Sequence, residues 1–176
     1  MSHVFLIGFM GAGKSTVGAL LAGRLGLPFI DLDVRITQAA GRSIVEIFDA
    51  EGEQGFRDRE SEALAALAHE TPAVVACGGG IVLADENRRL LKEMGRVVYL
   101  KVSAGEALAR IGDTTGRPLL QRGDAGAMTA TLLAARESLY RAVADVQVDT
   151  GGLDRDAVAS AVVDALGPAH GQDAPS

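Results

Sequence analysis

Val4-Phe5-Leu6-Ile7-Gly8-Phe9-Met10-Gly11-Ala12-Gly13-Lys14-Ser15, near the start of the 176-residue chain, decides how the rest is read. Val4–Ile7 is a short, continuously apolar run ending in glycine, as expected for a strand buried on both faces. Gly8, Gly13, Lys14 and Ser15 satisfy the spacing G-x-x-x-x-G-K-[ST]. Glycines at these points let several backbone N–H groups face one anion-sized concavity, and a following helix adds its positive N-terminal end. That helix is present in the pattern: Val17, Leu20, Leu21 and Leu25 recur at i, i+3, i+4 and i+8, closed by Gly26 and Pro28. Gly11, Ala12, Gly13, Lys14, Ser15 and Thr16 are therefore expected to hold nucleotide phosphates. Lys14 would reach the β- and γ-phosphates, and the Ser15 hydroxyl would ligate Mg²⁺.

Outward from this loop, short apolar runs alternate with helical patterns. Strands are expected at Phe29–Asp31, Ala73–Ala76, Val97–Lys101 and Val146–Val148. Helices are expected at Val34–Ala40, Ile44–Ala50, Glu53–Ala68, from an N-cap at Asp85 to Met94, and at Ala104–Ile111 and Thr129–Val143. A last helix carries Val158, Ala161, Val162 and Leu166 on one face. With Val4–Ile7 this gives five strands, and the alternation predicts a three-layer α/β/α fold around a five-stranded parallel sheet. Residues 1–167 read as one domain, and 168–176, rich in Gly, Pro and Ala, as a disordered tail. Gly112–Gly126 interrupts the alternation with four glycines, Pro118, Arg117 and Arg122. A segment of that kind is expected to be a lid, with Gly112, Gly116, Gly123 and Gly126 as hinges.

Many phosphate loops share their Mg²⁺ with an aspartate at the end of a later strand. Ala73–Ala76 ends in Cys77-Gly78-Gly79-Gly80 and offers no acid. Asp31-Leu32-Asp33 is the remaining supply. In an extended segment residues two apart share a side, so Asp31 and Asp33 would face one cleft, one orienting the metal and the other taking a hydroxyl proton. The competing reading makes Asp33 an N-cap of the next helix. Arg57 and Glu60, at i and i+3, can brace one another. Gly78–Gly80 permit close approach to a ligand, although taken alone an ordinary loop explains them equally well.

Composition narrows the partners. Lys+Arg 17 against Asp+Glu 23 gives a net charge of −6, which argues against a broad nucleic-acid footprint. One cysteine, Cys77, excludes an intramolecular disulfide, and the three histidines, His3, His69 and His170, are scattered. Cys77 reads as a small buried residue, and Phe56 and Tyr140 as packing. The first residues lack a basic n-region and no apolar run reaches membrane-spanning length, so a soluble cytoplasmic chain is expected.

Taken together, six segments in order resemble the shikimate kinase family, over the whole chain through the last helix. They are Gly8–Thr16, Asp31-Leu32-Asp33, Gly52–Arg57 with Glu60, Gly78–Gly80, Arg117-Pro118-Leu119-Leu120 and Arg136-Glu137-Ser138-Leu139-Tyr140. The resemblance implies a P-loop fold of the nucleoside-monophosphate-kinase type, with residues 33–62 as a substrate-binding helical region. It implies transfer of the ATP γ-phosphoryl group to the 3-hydroxyl of shikimate, on the route to chorismate and the aromatic amino acids. It assigns Asp33 to the reacting hydroxyl, Arg57 and Arg136 to the substrate carboxylate, and Gly79 and Gly80 to the ring hydroxyls. Arg117 would swing from the lid to the phosphates, Arg110 would lie near adenine, and Ser15 with Asp31 would attend Mg²⁺. A monomer binding ATP and shikimate, with neither nucleic acid nor membrane, is expected. A gluconate kinase is the nearest alternative. A nucleotide switch is disfavoured because no Asn-Lys-x-Asp sequence occurs, and a noncatalytic relative because every expected catalytic side chain is present.

Overall fold

The computed structural model describes residues 2–113 and 115–167; the expected tail, 168–176, lies outside the described residues. Five strands form one sheet: β1 (His3–Ile7), β2 (Phe29–Asp31), β3 (Val74–Ala76), β4 (Gly95–Lys101) and β5 (Val146–Asp149). Their order is β2-β3-β1-β4-β5 and every neighbouring pair is parallel. β1 is central, with Val4 opposite Val74 on one side and Phe5 opposite Val97 on the other. Its apolar run has the reason expected of it: Val4 through Ile7 are fully buried, as are Val74, Val75 and Val97–Leu100 or nearly so. A strand covered on both faces has no polar alternation to show.

The helices are α1 (Lys14–Leu25), α2 (Leu32–Ala40), α3 (Ile44–Ala66), α4 (Asp85–Met94), α5 (Ala104–Ile111), α6 (Ala125–Val143) and α7 (Arg155–Leu166). α1 packs against α7, α5 against α6, and α2 against α3. No helix among the described residues is long and apolar enough to cross a membrane. His3 fastens the start of the sheet: its Nδ1 accepts from the Ala73 N–H at 3.1 Å and its Nε2 lies 3.0 Å from the Leu67 carbonyl. The first bond fixes the neutral tautomer with the proton on Nε2, so this histidine is a structural clasp.

Three local expectations change. Asp85 is the first residue of α4, not its cap; Ala84 holds that position without a side-chain bond, and the Asp85 carboxylate pairs with Arg88 instead. Gly126 lies inside α6, whose cap is Asp124, so it is no hinge; Gly112 (φ 61°) and Gly123 (φ 145°) flank the intervening segment. That segment carries a short 3₁₀ helix, Pro118–Gln121, with Leu119 and Leu120 buried. The two helices expected either side of Gly52 run on as α3 but meet at a joint. Gly52 has φ 73° and ψ −179°, outside the helical range.

Candidate active site

The phosphate loop is shaped by glycines at backbone angles other residues resist. Gly8, Gly11 and Gly13 have φ of 145°, 82° and 87°. Beyond angle there is space: a Cβ on Gly8 would collide with the Leu100 carbonyl, and one on Gly11 would come 2.8 Å from the Ala107 carbonyl. The loop ends at the N-terminus of α1, whose free N–H groups face the concavity. Lys14 is buried and folds back, donating to the Gly8 carbonyl at 2.7 Å and the Phe9 carbonyl at 2.9 Å. Burial lowers its pKa to about 8, with the nearby Asp33 carboxylate opposing the shift.

Ser15 donates to Asp31 Oδ2 at 2.5 Å, so the hydroxyl and the carboxylate expected to share a cation converge on one point. Asp31 also caps α2, accepting from Val34 N–H at 3.2 Å through its other oxygen. The extended Asp31–Asp33 geometry is therefore corrected. β2 stops at Asp31, and Asp33 lies in the first turn of α2. Neither is Asp33 the cap. Both acids nevertheless reach the phosphate-loop cavity, because that first turn rises directly from the carboxyl edge of β2. Asp33 Oδ1 is buried without a hydrogen-bond partner among the described residues. Burial raises the Asp33 pKa above the ordinary carboxylate value, and Lys14 pulls it back.

A second cavity adjoins the first, sharing Met10, Asp33, Gly78, Gly79 and Arg117 with it. Its far wall carries two guanidinium groups, Arg57 and Arg136, and its sides are apolar, including Ile44, Phe48 and Phe56. Arg57 donates to the buried Glu60 carboxylate at 2.5 Å and lies 3.6 Å from Glu53. The brace between Arg57 and Glu60 is present as the spacing predicts. Glu60 keeps one oxygen unpartnered, and burial raises its pKa. Arg136 is buried and has no carboxylate within ion-pair distance among the described residues. A buried guanidinium without a carboxylate is costly unless an anion arrives to meet it.

Gly78–Gly80 are needed for room and not for angle, since none has a positive φ. A side chain on Gly78 would meet the Glu60 and Asp33 carboxylates, and one on Gly80 would meet the Arg57 guanidinium. Arg117 lines both cavities from the segment before Pro118. Arg110 reaches the loop from its outer side, donating to the Gly11 carbonyl at 3.3 Å, to the Thr150 hydroxyl at 3.0 Å and to the Thr150 carbonyl at 3.1 Å. With Ala12, Gly13, Thr16 and Leu153 it bounds a recess on the outer side of the phosphate loop. Cys77 is buried, and burial raises its thiol pKa far above the ordinary range, so it is no nucleophile.

Sequence reading missed part of the site. Phe56 does pack, but it is also a wall of the second cavity beside Phe48, their rings 5.1 Å apart. Tyr140 is fully buried and stacks on Tyr99, yet its hydroxyl donates to the Gly79 carbonyl. No local pattern announces a contact between residues 61 positions apart.

Comparison with known proteins follows the same lines. The family described as "Shikimate kinase" matches residues 10–167. The shikimate kinase of Halorhodospira halophila is 50% identical over 165 residues, covering 94% of this chain and 93% of that one. That of Pseudomonas aeruginosa is 48% identical over 150 residues, covering 85% and 87%. Among solved structures, shikimate kinase from Acinetobacter baumannii in complex with shikimate superposes with a TM-score of 0.89 at 39% identity, covering 92% and 90%. A gluconokinase from Sinorhizobium meliloti, at 19% identity and a TM-score of 0.60, shares the fold alone. With the glycine loop, the paired arginines and the acid between them all in one chain, the protein belongs to the shikimate kinase family.

Proposed function

We propose that the chain transfers the γ-phosphoryl group of ATP to the 3-hydroxyl of shikimate, releasing ADP and shikimate 3-phosphate. The single observation that carries the reading is the shared wall of the two cavities. A polyphosphate loop and a pocket with one buried and one part-buried guanidinium, Arg136 and Arg57, meet at Asp33 and Arg117. Family membership supports the substrate, and the pocket's chemistry suits a small polyol acid: guanidinium forks for its carboxylate and glycine N–H groups for its hydroxyls.

In this reading Arg57 and Arg136 hold the carboxylate, which turns the opposite side of the ring toward Asp33. The acceptor oxygen forms a bond to the γ-phosphorus as the bond to the β–γ bridging oxygen breaks, and ADP leaves with that electron pair. The hydroxyl proton passes late in the step to Asp33, whose unpartnered buried oxygen is free to receive it. Lys14 turns from the loop carbonyls to the phosphates, and Arg117 meets charge developing on the transferred group. The 112–126 segment acts as a lid that excludes water, which would otherwise compete as acceptor. Arg110 borders the base.

The donor set fits Mg²⁺: a hydroxyl and a carboxylate, both hard oxygens, already 2.5 Å apart at Ser15 and Asp31. Mg²⁺ takes one or two protein oxygens together with phosphate, and when bound it neutralises phosphate charge. A monomer is proposed because the large apolar side chains exposed among the described residues, Val34, Leu83 and Leu153, are scattered. A cytoplasmic location is part of the same proposal.

The test is ADP release with Mg²⁺ and either shikimate, gluconate or a nucleoside monophosphate as acceptor. Shikimate-dependent ADP formation is expected. Its absence, or a preference for gluconate, overturns the reading.

A further inference from the structure

Tyr140 lines neither cavity, yet it reaches the peptide on which the second one depends. Its hydroxyl has one proton and donates it to the Gly79 carbonyl. Burial pushes its pKa well above the ordinary tyrosine value, so the proton is retained across the working pH range. Arg136, one helical turn earlier on α6, converges on the same place: its Nη1 lies 3.6 Å from where a Gly79 Cβ would stand, and its charge acts on the Tyr140 hydroxyl. A guanidinium can only donate, so wherever Arg136 meets the tyrosine oxygen it does so as the donor, and the tyrosine proton stays on the Gly79 carbonyl. Each such bond polarises the next.

The Gly79 carbonyl and the Gly80 N–H belong to one planar unit. No cis peptide bond occurs among the described residues, so the two groups of this unit point in opposite directions. The local turn is held by Ile81 N–H on the Gly78 carbonyl and Leu83 N–H on the Gly80 carbonyl, and neither bond involves this unit. Flanked by two glycines, it has little steric resistance to rotation. With the carbonyl held by Tyr140, which lines neither cavity, the Gly80 N–H is turned to the opposite side of the peptide, and both glycines line the second cavity.

We propose that Tyr140 is a positioning residue for the acceptor: its hydroxyl locks the Gly79–Gly80 peptide and the Arg136 guanidinium in a single orientation, aiming a backbone donor and a carboxylate-binding cation together. This rests on the shikimate kinase reading of that cavity. Tyr99 provides a control within the same ring pair. Its ring stacks on Tyr140 at 5.1 Å, but its buried hydroxyl has no partner among the described residues.

Tyr140→Phe keeps the ring and removes the hydroxyl. KM for shikimate is expected to rise about tenfold, the effect of orphaning a buried hydrogen-bonded group, with KM for ATP unchanged and kcat reduced less than KM rises. Tyr99→Phe should leave both KM values unchanged. The shikimate losses of Tyr140→Phe and Arg136→Lys should be non-additive, since one acts through the other. An unaltered shikimate KM in Tyr140→Phe overturns the proposal. So does a parallel rise in both KM values, or a variant that no longer folds, since either makes the hydroxyl merely structural. Wild-type enzyme without shikimate-dependent ADP release would instead overturn the functional reading, so the two failures are distinct.

Discussion

The two cavities are built by different means. The phosphate loop is a backbone object: its shape resides in Gly8, Gly11 and Gly13 at positive φ, and it stands on β1, buried in the main core. The acceptor pocket is a side-chain object. Its charges, Arg57 and Arg136, sit on α3 and α6, and its apolar side, Ile44, Phe48 and Phe56, rests on a separate small cluster completed by Ile36 and Ile47. A phosphate is met by N–H groups that any sequence of the right dihedral angles supplies. A particular polyol acid must be met by particular side chains, so specificity belongs to the second construction. The two halves should therefore fail differently when altered.

The largest effect is expected at Lys14. Lys14→Met should lower kcat/KM for ATP by about a thousandfold, at the upper end for loss of a charge-stabilising donor, while shikimate binding measured by calorimetry persists. Loss of both affinities together would break the division. Asp33→Asn should reduce kcat by about a hundredfold, the lower range for removing a positioned base, with ATP binding retained. A near wild-type kcat would remove Asp33 from that role. Arg57→Ala should weaken shikimate binding by about thirtyfold or more, since it unpairs one side of a buried charge contact. It should also lower the unfolding midpoint, because Glu60 is left buried without its cation.

Core substitutions sharpen the contrast. Ile47→Ala in the small cluster and Val75→Ala in the sheet are each expected to destabilise, by about 2–4 kcal/mol for the former and somewhat less for the smaller deletion. Only Ile47→Ala should raise KM for shikimate selectively. Equal disturbance of both substrates by Ile47→Ala would show that the cluster is not a separate support.

The smallest effect is on pH. Lys14 is charged below its pKa of about 8, so its attraction for polyphosphate is lost as pH rises through that value. kcat/KM for ATP should fall above about pH 8. Asp33, whose pKa is raised, must be ionised to accept a proton, so kcat should decline on the acid side at a pH above the usual carboxylate range. Asp33→Asn should abolish the acid limb and leave the alkaline one.

The same division explains what the sequence made legible. Gly8–Ser15 could be read directly because backbone-defined sites impose their glycines at fixed spacing. The inner strands β1, β3 and β4 were equally plain, buried on both faces along most of their length and therefore uninterrupted, while the edge strands β2 and β5 are only part-buried. Asp31 and Asp33 were found by elimination, but their geometry was not. Helix α2 begins one residue before Asp33, and a three-residue strand leaves too little pattern to show where extension ends. The cap of α4 was misplaced for a similar reason, since Arg88 competes for the Asp85 carboxylate. Tyr140 was legible only as packing, because its hydroxyl is spent on a backbone carbonyl that has no residue identity to detect.

The joint at Gly52 has a mechanical consequence. It sits five positions before Arg57, about 7.5 Å along the axis of the second half of α3. That length is a lever arm: a swing of about 10° at the glycine carries the Arg57 backbone by about 1.3 Å at this rise per residue. A displacement near 1 Å is enough to cost about a hundredfold in rate where groups must meet in register. Gly52 has open space where a side chain would be, so an alanine there would act through the φ of 73° alone, and by leverage that strain would be felt at the Arg57 guanidinium.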